Sequence, residues 1–449
     1  MSRLADVLLS TPDMHAVFSD TAWLQRMLDA EAALARAEEA AGVIPPGTAG
    51  PIAAACRAEL FDADAIAEQG AFAGTPIVPL VRMLGARVEG DAANYVHLGA
   101  TSQDIVDTGL MLQMRDALDL LVGQLIRLSD RCADLATRHR ETKTVARTLG
   151  QHAVPMPFGL KAAQWLASAM HHQERLGDLR RTHLVAQCGG AGGTLGALGS
   201  DGARVARLFA QELGLAEPDL PWHTRRDGIA EIVCALGVLS GSMSKIATDL
   251  ILLSQTEVAE VGAVAEGEKG TSSAMPHKQN PIDATLARTA AAHAIGMVPV
   301  VLGAMAQEHE RAAGGWQVEW DAVPRAFGAT AAALQRVTDA VSTLHVDAEQ
   351  MEVVAELTNG RILSEALSAV LTQRLGRGAA QRMITEASGI ATSMGRSFPD
   401  VLREHVVALG TLEPDELDRL LDPHDAWGSS GVFIDRAIER FRAVRDALL

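Results

Sequence analysis

Aromatic residues and cysteines are scarce in this sequence. Only 4% of the 449 residues are aromatic, and the four cysteines lie far apart along the chain. Their spacing matches neither a CxxC pair nor a set of metal ligands, which argues against a disulfide framework and a structural metal site. We therefore expect reduced thiols that mostly fill the core of a cytosolic protein.

An excess of positive charge is also missing. The chain has 39 Lys and Arg against 56 Asp and Glu, a formal charge of −17, which argues against nucleic acid or an anionic membrane as partner. The first twenty residues lack the apolar core of a signal peptide. The apolar run at residues 289–307 is long enough to suggest a membrane span. It contains His293 and has no second span beside it, so we expect a buried bundle helix instead.

Alanine and leucine dominate what is present, and their spacing predicts long helices. With 48% apolar and 21% charged residues in 449 positions, the chain is typical of a soluble globular protein of two or three domains. Two segments repeat apolar residues about every 3.5 positions, which places one seam along each helix, as in helix bundles. The two seams are Leu110, Met114, Leu118, Leu121, Leu125, Leu128, Cys132 and Leu135, and Ile232, Leu236, Leu239, Met243, Ile246, Leu250 and Leu253. Further long helices are predicted over residues 158–183, 281–306 and 326–345.

These patterns predict an all-α fold of three domains. An elongated five-helix bundle would occupy residues 109–355, with shorter helices before it in residues 1–108 and after it in residues 356–449. The chain has no Walker loop, no HExxH and no GxGxxG after a strand pattern. The glycine-rich residues 189–200 are predicted to connect two helices rather than to bind phosphate. Long apolar seams favour a homo-oligomer that buries them.

Three short polar stretches interrupt the apolar helical sequence. They are HLGATSQD (97–104), ARTLGQHAVP (146–155) and GTSSAMPHKQNP (270–281). In the first, Ser102 or Asp104 could simply cap the following helix, but hydroxyl and amide groups at a helix start also suit carboxylate binding. The second places Gln151 and His152 in a predicted loop between two helices, where a lone histidine is as often structural as functional.

The third stretch combines hydroxyl groups, a lysine, an amide and two prolines. Asn280 followed by Pro281 is a natural helix N-cap and first helical position. Capping leaves the serine pair and Lys278 unexplained. Gly267 and Gly270, on the N-terminal side, favour a mobile loop that closes over substrate.

In this order and spacing, the three stretches resemble the fumarase/aspartase superfamily, whose signature is close to GSSxMPxKxNP. Residues 271–281 read TSSAMPHKQNP, so Thr271 replaces the usual glycine. The resemblance covers essentially the whole chain. It implies a three-domain, all-α homotetramer with a central bundle, in which several subunits assemble each active site without a cofactor.

The site residues of the family carry over by position. The resemblance implies that Ser272 is the catalytic base and that Lys278 and Asn280 hold the substrate carboxylate. Thr101 and Ser102 match a second substrate-binding region, and Gln151 matches a third.

The family reaction removes a proton from the carbon beside a carboxylate and then expels a group from the next carbon. The carbanion is stabilised when its charge spreads into the carboxylate, which requires preorganised donors such as Lys278 and Asn280. Serine is a sufficient base only in a dry site with convergent donors, which a closing loop would provide.

One departure from the family pattern narrows the activity. Many fumarate-releasing members carry RTH in the second stretch, where the histidine assists protonation of the leaving group. The residues here are Arg147, Thr148 and Leu149, and leucine cannot transfer a proton. A carboxylate, with a pKa of about 4, leaves as an anion without an acid. Leu149 therefore favours the opening, or in reverse the closing, of a lactone.

The stretches YVHLGATSQD, PWHTRRD (221–227) and QEHERAAGGWQVEW (307–320) are most similar to the bacterial 3-carboxy-cis,cis-muconate cycloisomerase branch of the superfamily. This resemblance implies interconversion of 3-carboxy-cis,cis-muconate and 4-carboxymuconolactone in the protocatechuate (β-ketoadipate) degradation of aromatic compounds. Ser272 would handle the proton at carbon, and His152 would orient or polarise the small polycarboxylate substrate.

Three substrate carboxylates require more cationic groups than Lys278, and His97 is a further predicted binding residue. Candidates for the extra carboxylates are Arg311, His309, His223 and Arg225, although surface ion pairing is a commoner fate of such residues. One alternative is an adenylosuccinate lyase-like enzyme that releases fumarate, with His97 and His152 serving a nucleotide. The other is a catalytically silent helical bundle, against which the intact signature residues argue.

Overall fold

The computed structural model describes residues 3–263, 269–271, 275, 277–409, 413–422 and 424–448. Within these residues the α-helices are α1 Arg3–Asp6, α2 Pro12–Val17, α3 Asp20–Ala41, α4 Ala49–Ala55, α5 Ala63–Ala73, α6 Ile77–Gly85, α7 Ser102–Arg138, α8 Phe158–His183, α9 Gly202–Leu213, α10 Asp227–Leu253, α11 Ile282–Ala304, α12 Gly315–Ser342, α13 Ala348–Glu356, α14 Ser364–Leu375, α15 Arg377–Met394, α16 Phe398–Leu409, α17 Pro414–Leu420 and α18 Ser430–Leu448. The strands are β1 Lys143–Thr148, β2 Gln151–Pro157, β3 Val261–Ala263 and β4 Leu344–Val346. They form two antiparallel pairs, β1 with β2 and β3 with β4. The all-α class is confirmed.

The long helices follow the apolar spacing. Every residue of the two predicted seams is at most 4% exposed, as expected for one buried stripe along α7 and one along α10. Helix α8 has the predicted bounds, and α11 is slightly shorter than predicted. Helix α12 differs most, because it begins at Gly315 rather than residue 326 and continues through Pro324.

The chain divides into two compact units, and each takes three separate segments. The first unit comprises Met1–Leu125, His172–Lys245 and Leu286–Arg336. The second comprises Ile126–His171, Ile246–Thr285 and Val337–Leu449. The division into domains at residues 108 and 355 stays a prediction.

In the first unit, the alanine-rich helix α3 forms the support for the first polar stretch. Ser19 caps α3 by accepting the Ala22 N–H at 3.3 Å, and Gly42 ends the helix with φ 79°. Helix α3 packs against α9 and α4. A Cβ at Gly109 of α7 would lie 3.3 Å from the Met27 side chain, so the start of α7 crosses α3 closely.

In the second unit, the β1–β2 hairpin packs against the C-terminal helices. Val145 of β1 belongs to a buried cluster with Leu367, Phe398 and Leu402. The expectation that residues 146–155 form a loop is therefore wrong. The hairpin turns at Leu149 and Gly150, with φ 51° and 77°, the left-handed pair that two-residue hairpin turns require.

Helices α10 and α11 are both long and apolar enough to cross a membrane, judged by length and composition alone. Core helices of soluble proteins have the same properties. In α10 56% of the most apolar window is buried, but in α11 only 28% is. The expected helix over residues 289–307 is present, but much of its apolar surface is exposed in the single chain.

Candidate functional site

Asp104 fixes the first polar stretch in the first unit. Its carboxylate accepts the backbone N–H groups of Thr101, Gly189 and Gly190, each at 2.9 Å. It also accepts a hydrogen bond from His223 Nε2 at 2.7 Å, and it is 1% exposed. Asp104 therefore does more than cap α7, because it joins three segments of the chain. His223, at 4% exposure, is committed to this carboxylate.

Two glycines of residues 189–200 make this arrangement possible. A Cβ at Gly189 would lie 2.7 Å from the His223 ring, and one at Gly190 would lie 2.9 Å from the Gly99 carbonyl oxygen. Gly190 also has φ 67°, which disfavours any residue with a side chain. The glycine-rich segment connects α8 and α9, as predicted, and in addition supplies N–H groups to Asp104.

Arg311 is held beside this cluster by neutral oxygens. Its guanidinium donates to Gln103 Oε1 at 2.7 Å and to the carbonyl oxygens of Ala191 at 2.9 Å and Gly190 at 3.3 Å. Within the described segments, no carboxylate forms an ion pair with it. A half-buried, positioned guanidinium without an anionic partner is suited to bind a carboxylate ligand.

His97 lies in the same unit and contacts α3. Its Nδ1 is 2.6 Å from Glu31 Oε1, and its backbone has φ 60°. Burial lowers the pKa of His97, but the charge and hydrogen bond of Glu31, with a contribution from Asp104, outweigh burial and raise the pKa above its usual value. His97 is therefore more readily protonated than an ordinary histidine.

The stretches 221–227 and 307–320 are tied to α7 by a buried ion-pair group. Arg226 donates two hydrogen bonds to Asp107, at 2.7 and 3.0 Å, and also pairs with Glu319. Trp316 Nε1 donates to Asp107 at 2.9 Å. Burial lowers the pKa of Arg226, but the two carboxylates raise it above its usual value. All three charged side chains are at most 2% exposed, so this group is structural.

The other candidates from these two stretches are less organised. Arg225 is exposed and lies 3.8 Å from Asp227. His309 is exposed, and its carbonyl oxygen accepts the Thr224 hydroxyl at 3.0 Å. Of the four basic candidates, Arg311 alone is both fixed in position and without an anionic partner in the described chain.

In the second unit, the predicted residues of the second stretch lie on β2. Gln151 is exposed, and His152 is opposite Arg147 of β1. Arg147 forms two hydrogen bonds, of 2.7 and 3.0 Å, with Glu260, which is 0% exposed. The Glu260 carbonyl in turn accepts the Asp347 N–H at 3.0 Å.

The environment of His152 disfavours its charged form. Burial, followed by the charge of Arg147, lowers the pKa of His152 below its usual value, and Glu260 opposes the shift. Its Nδ1 is buried and has no hydrogen-bond partner among the residues that the structure describes. Neutral imidazole can orient or polarise a carboxylate ligand, but it adds no charge.

The base of the signature loop is also in the second unit, and Ser272 lies outside the described residues. Asn280 donates both its backbone N–H and its side-chain amide to the Gly270 carbonyl oxygen, at 2.9 and 3.0 Å. Thr271 pairs with Gln279 in an antiparallel bridge. Helix α11 begins at Ile282, so Asn280 closes the loop rather than capping the helix. The Lys278 side chain is exposed.

The first unit thus contains His97, Thr101, Ser102 and Arg311, and the second contains Gln151, His152, Lys278 and Asn280. Among the described residues, no group of three or more His, Cys, Asp and Glu could hold a metal ion. The sequence did not identify Glu31, Gln103 and Glu260 as partners of the site residues. A glutamate in an alanine-rich helix face was the available signal for Glu31.

The chain is similar to known proteins over most of its length. The family model described as Lyase matches residues 7–296. The chain is 45% identical over 446 residues to a 3-carboxy-cis,cis-muconate cycloisomerase of Pseudomonas aeruginosa, covering 99% of this chain and 97% of that relative. It is 40% identical to a nitrosuccinate lyase of Streptomyces davaonensis, covering 97% and 94%.

A solved structure is also similar to this chain. The 3-carboxy-cis,cis-muconate lactonizing enzyme from Pseudomonas putida matches with a TM-score of 0.92 at 41% identity, covering 98% of this chain and 99% of that chain. The signature loop, the helical fold and these alignments lead to one conclusion: the chain belongs to the lyase family, within the fumarase/aspartase superfamily.

Proposed function

We propose that this enzyme interconverts 3-carboxy-cis,cis-muconate and 4-carboxymuconolactone. The observation that carries the proposal is Leu149 at the tip of the β1–β2 hairpin, where the superfamily resemblance implies a proton-donating histidine in many fumarate-releasing members. Its side chain is fully exposed, and it has no proton to give. A carboxylate leaving group needs none. The muconate cycloisomerases among the relatives support the same substrate.

The proposed reaction needs one proton in the direction of ring closure. A substrate carboxylate oxygen adds to a carbon of the conjugated diene, and the electron pair of that double bond moves to the neighbouring carbon. This carbanion spreads into the adjacent carboxylate, which Lys278 and Asn280 stabilise. Ser272 then delivers a proton to the carbanion and is reprotonated from solvent. Ring opening is the reverse, with Ser272 as base.

Binding is assigned to the remaining predicted residues. Arg311 supplies a guanidinium without a carboxylate partner in the described chain, and His97 is disposed to be a second cation. Thr101, Ser102 and Gln151 supply neutral donors. His152, whose pKa is lowered, orients the substrate as a neutral ring. No step requires a metal or another cofactor.

We further propose a cytoplasmic homotetramer with active sites shared between subunits. The apolar surface of α11 supports this assembly, since Ile295, Val300 and Leu302 are 43%, 42% and 46% exposed in the single chain. Apolar helix faces of this kind are covered by partner helices in stable oligomers.

The substrate is tested by ultraviolet spectroscopy. Purified enzyme with 3-carboxy-cis,cis-muconate should remove the absorbance of the conjugated diene, and adenylosuccinate should release no fumarate. Nitrosuccinate belongs in the same series, because nitrite also leaves as a weakly basic anion. Turnover of either alternative without turnover of carboxymuconate would reject the proposal.

The base is tested by substitution. Ser272→Ala should lower kcat by at least about 100-fold with an unchanged oligomer. Ser393→Ala, at an exposed position of α15, is the matched control and should retain activity. Full activity in Ser272→Ala would exclude this serine as the base.

A further inference from the structure

We propose that Glu31 is a positioning residue for substrate binding. It orients His97 through Nδ1 and leaves the other ring nitrogen of the imidazolium to bind a substrate carboxylate. This inference rests on the proposed polycarboxylate substrate and adds a residue that the signature stretches do not contain. Glu31 lies 66 positions before His97, on a different element.

The contact between the two side chains is short and buried. Glu31 Oε1 is 2.6 Å from His97 Nδ1, with side-chain exposures of 1% for the glutamate and 18% for the histidine. In the described residues, this is the one hydrogen bond of the Glu31 carboxylate. A buried carboxylate is costly unless its partner carries the opposite charge. The geometry therefore favours imidazolium over neutral imidazole.

The backbone of His97 supports a functional reason for the contact. Its φ of 60° is in the left-handed region, which costs a residue with a Cβ about 1 kcal/mol. Such strain persists where surrounding contacts require it, and it concentrates at ligand sites. Here it directs the ring toward α3, where Glu31 receives one of its two nitrogens.

The segment that follows His97 lies beside a site that already has a cationic group. Gly99, two residues after His97, places its carbonyl oxygen 2.9 Å from the position that a Cβ on Gly190 would occupy. The Gly190 carbonyl oxygen accepts a hydrogen bond from Arg311. Because Nδ1 is engaged by Glu31, Nε2 is the ring atom left to donate to substrate.

The charge state of His97 depends on the groups around it. Glu31 and Glu38 lie on α3, and Asp104 lies on α7. Burial lowers the pKa of His97, whereas Glu31 and then Asp104 raise it, with a net increase. Asp104 is itself bonded to His223. Substrate binding that depends on the His97 cation is therefore strongest below the pKa of His97. It weakens as the pH rises through that pKa.

The test measures binding separately from turnover. Tricarballylate (propane-1,2,3-tricarboxylate), a tricarboxylate that cannot cyclise, is titrated into the assembled wild-type enzyme and Glu31→Gln by calorimetry between pH 6 and 9. Without the carboxylate, the pKa of His97 falls, so the loss of affinity at alkaline pH should begin at lower pH. We expect about tenfold weaker binding at pH 8 and a smaller loss of affinity at pH 6.

Glu39→Gln is the matched control, because Glu39 lies on the same helix but its carboxylate accepts the Ala49 N–H and is not among the groups that shift the pKa of His97. It should leave the pH dependence of affinity unchanged. If Glu31→Gln loses the same amount of affinity at every pH, or if its affinity does not change, the inference is overturned. If Glu31→Gln does not fold, His97→Gln replaces it and must abolish the alkaline decline seen in wild type.

The outcome also separates this inference from the proposed function. Turnover of carboxymuconate by wild type with an unshifted Glu31→Gln profile would reject the role of Glu31 and leave the function standing. A shifted pH profile of affinity in Glu31→Gln, without turnover of carboxymuconate by wild type, would support the role of Glu31 and reject the proposed function. For turnover itself, Glu31→Gln should raise KM more than it lowers kcat, since His97 contributes to binding.

Discussion

At the scale of single residues, Glu38 is unusual because neither of its carboxyl oxygens has a hydrogen-bond partner in the described part of the chain. Burial, and secondly the charge of Glu31, raises the pKa of Glu38 to about 8. The folded protein therefore binds this proton more tightly than the unfolded chain does. The stability that the protonated group retains at pH 5 is lost progressively as the pH rises toward 8, and the loss is complete above that pH.

This linkage predicts that Glu38→Gln stabilises the protein at alkaline pH. Glutamine resembles the protonated acid and does not titrate, so its advantage in unfolding free energy should grow from near zero below pH 4.5 to on the order of 5 kcal/mol above pH 8. Urea unfolding at several pH values measures it. Glu39→Gln is the control with the opposite sign, because the Ala49 N–H bond lowers the pKa of Glu39. A difference that is independent of pH would contradict the prediction.

Also at the residue scale, we predict that lysine cannot replace the guanidinium of Arg311. Its guanidinium reaches Gln103, Gly190 and Ala191 at once, and a lysine ammonium cannot reproduce that geometry. We expect Arg311→Lys to raise KM for carboxymuconate at least about tenfold with a smaller change in kcat. Arg181→Lys, at an exposed position of α8, is the control. An unchanged KM would remove Arg311 from the binding site.

At the scale of elements, the β1–β2 hairpin contains a residue that its turn disfavours. Leu149 has φ 51°, where a branched apolar side chain is strained and asparagine is well tolerated. Leu149→Asn should therefore raise the unfolding free energy by roughly 0.5–1 kcal/mol. Gly150→Ala, at φ 77° with no atom near its Cβ, should lower it by strain alone. Destabilisation by Leu149→Asn would mean that the leucine packs against another copy of the chain.

The base of the signature loop yields a second prediction for an element. Gly270 has φ 78°, and an added Cβ would lie 2.6 Å from the Asn280 carbonyl oxygen. Gly270→Ala should therefore separate the two ends of the loop and lower kcat by at least about tenfold, with helix content and oligomer unchanged. Gly177→Ala, in open space on α8, should retain activity and gain up to about 1 kcal/mol of stability. Circular dichroism and steady-state kinetics distinguish the two variants.

Elements differ in how much of them the sequence could predict. Long helices were predictable because apolar spacing is local, and both seams are buried as expected. The β1–β2 hairpin was not predictable, since its strands are short and β2 contains Pro155 and Pro157.

The partners of the site residues were also beyond prediction. Glu31 and His97 are 66 positions apart, Gln103 and Arg311 are 208 apart, and Arg147 and Glu260 are 113 apart, and no local pattern records such pairs.

At the scale of the whole molecule, helix α11 has an apolar face that the single chain leaves exposed. Helix α11 packs closely against α10, where a Cβ on Gly237 would lie 2.6 Å from Val298. Yet Ile295, Val300 and Leu302 of the same helix are 42–46% exposed. In the proposed tetramer, other copies of the chain would cover this face.

Val300→Asp should therefore dissociate the proposed tetramer, because a carboxylate buried in an apolar helix interface costs several kcal/mol. Sedimentation should find wild type near four times 47.4 kDa and the variant at a smaller mass. Met394→Asp is the control, since Met394 is also an exposed large apolar residue, at 67%, but ends α15. If several subunits build each active site, the dissociated variant must lose activity in parallel with mass. A folded monomer with full activity would reject both the shared site and the interface on α11.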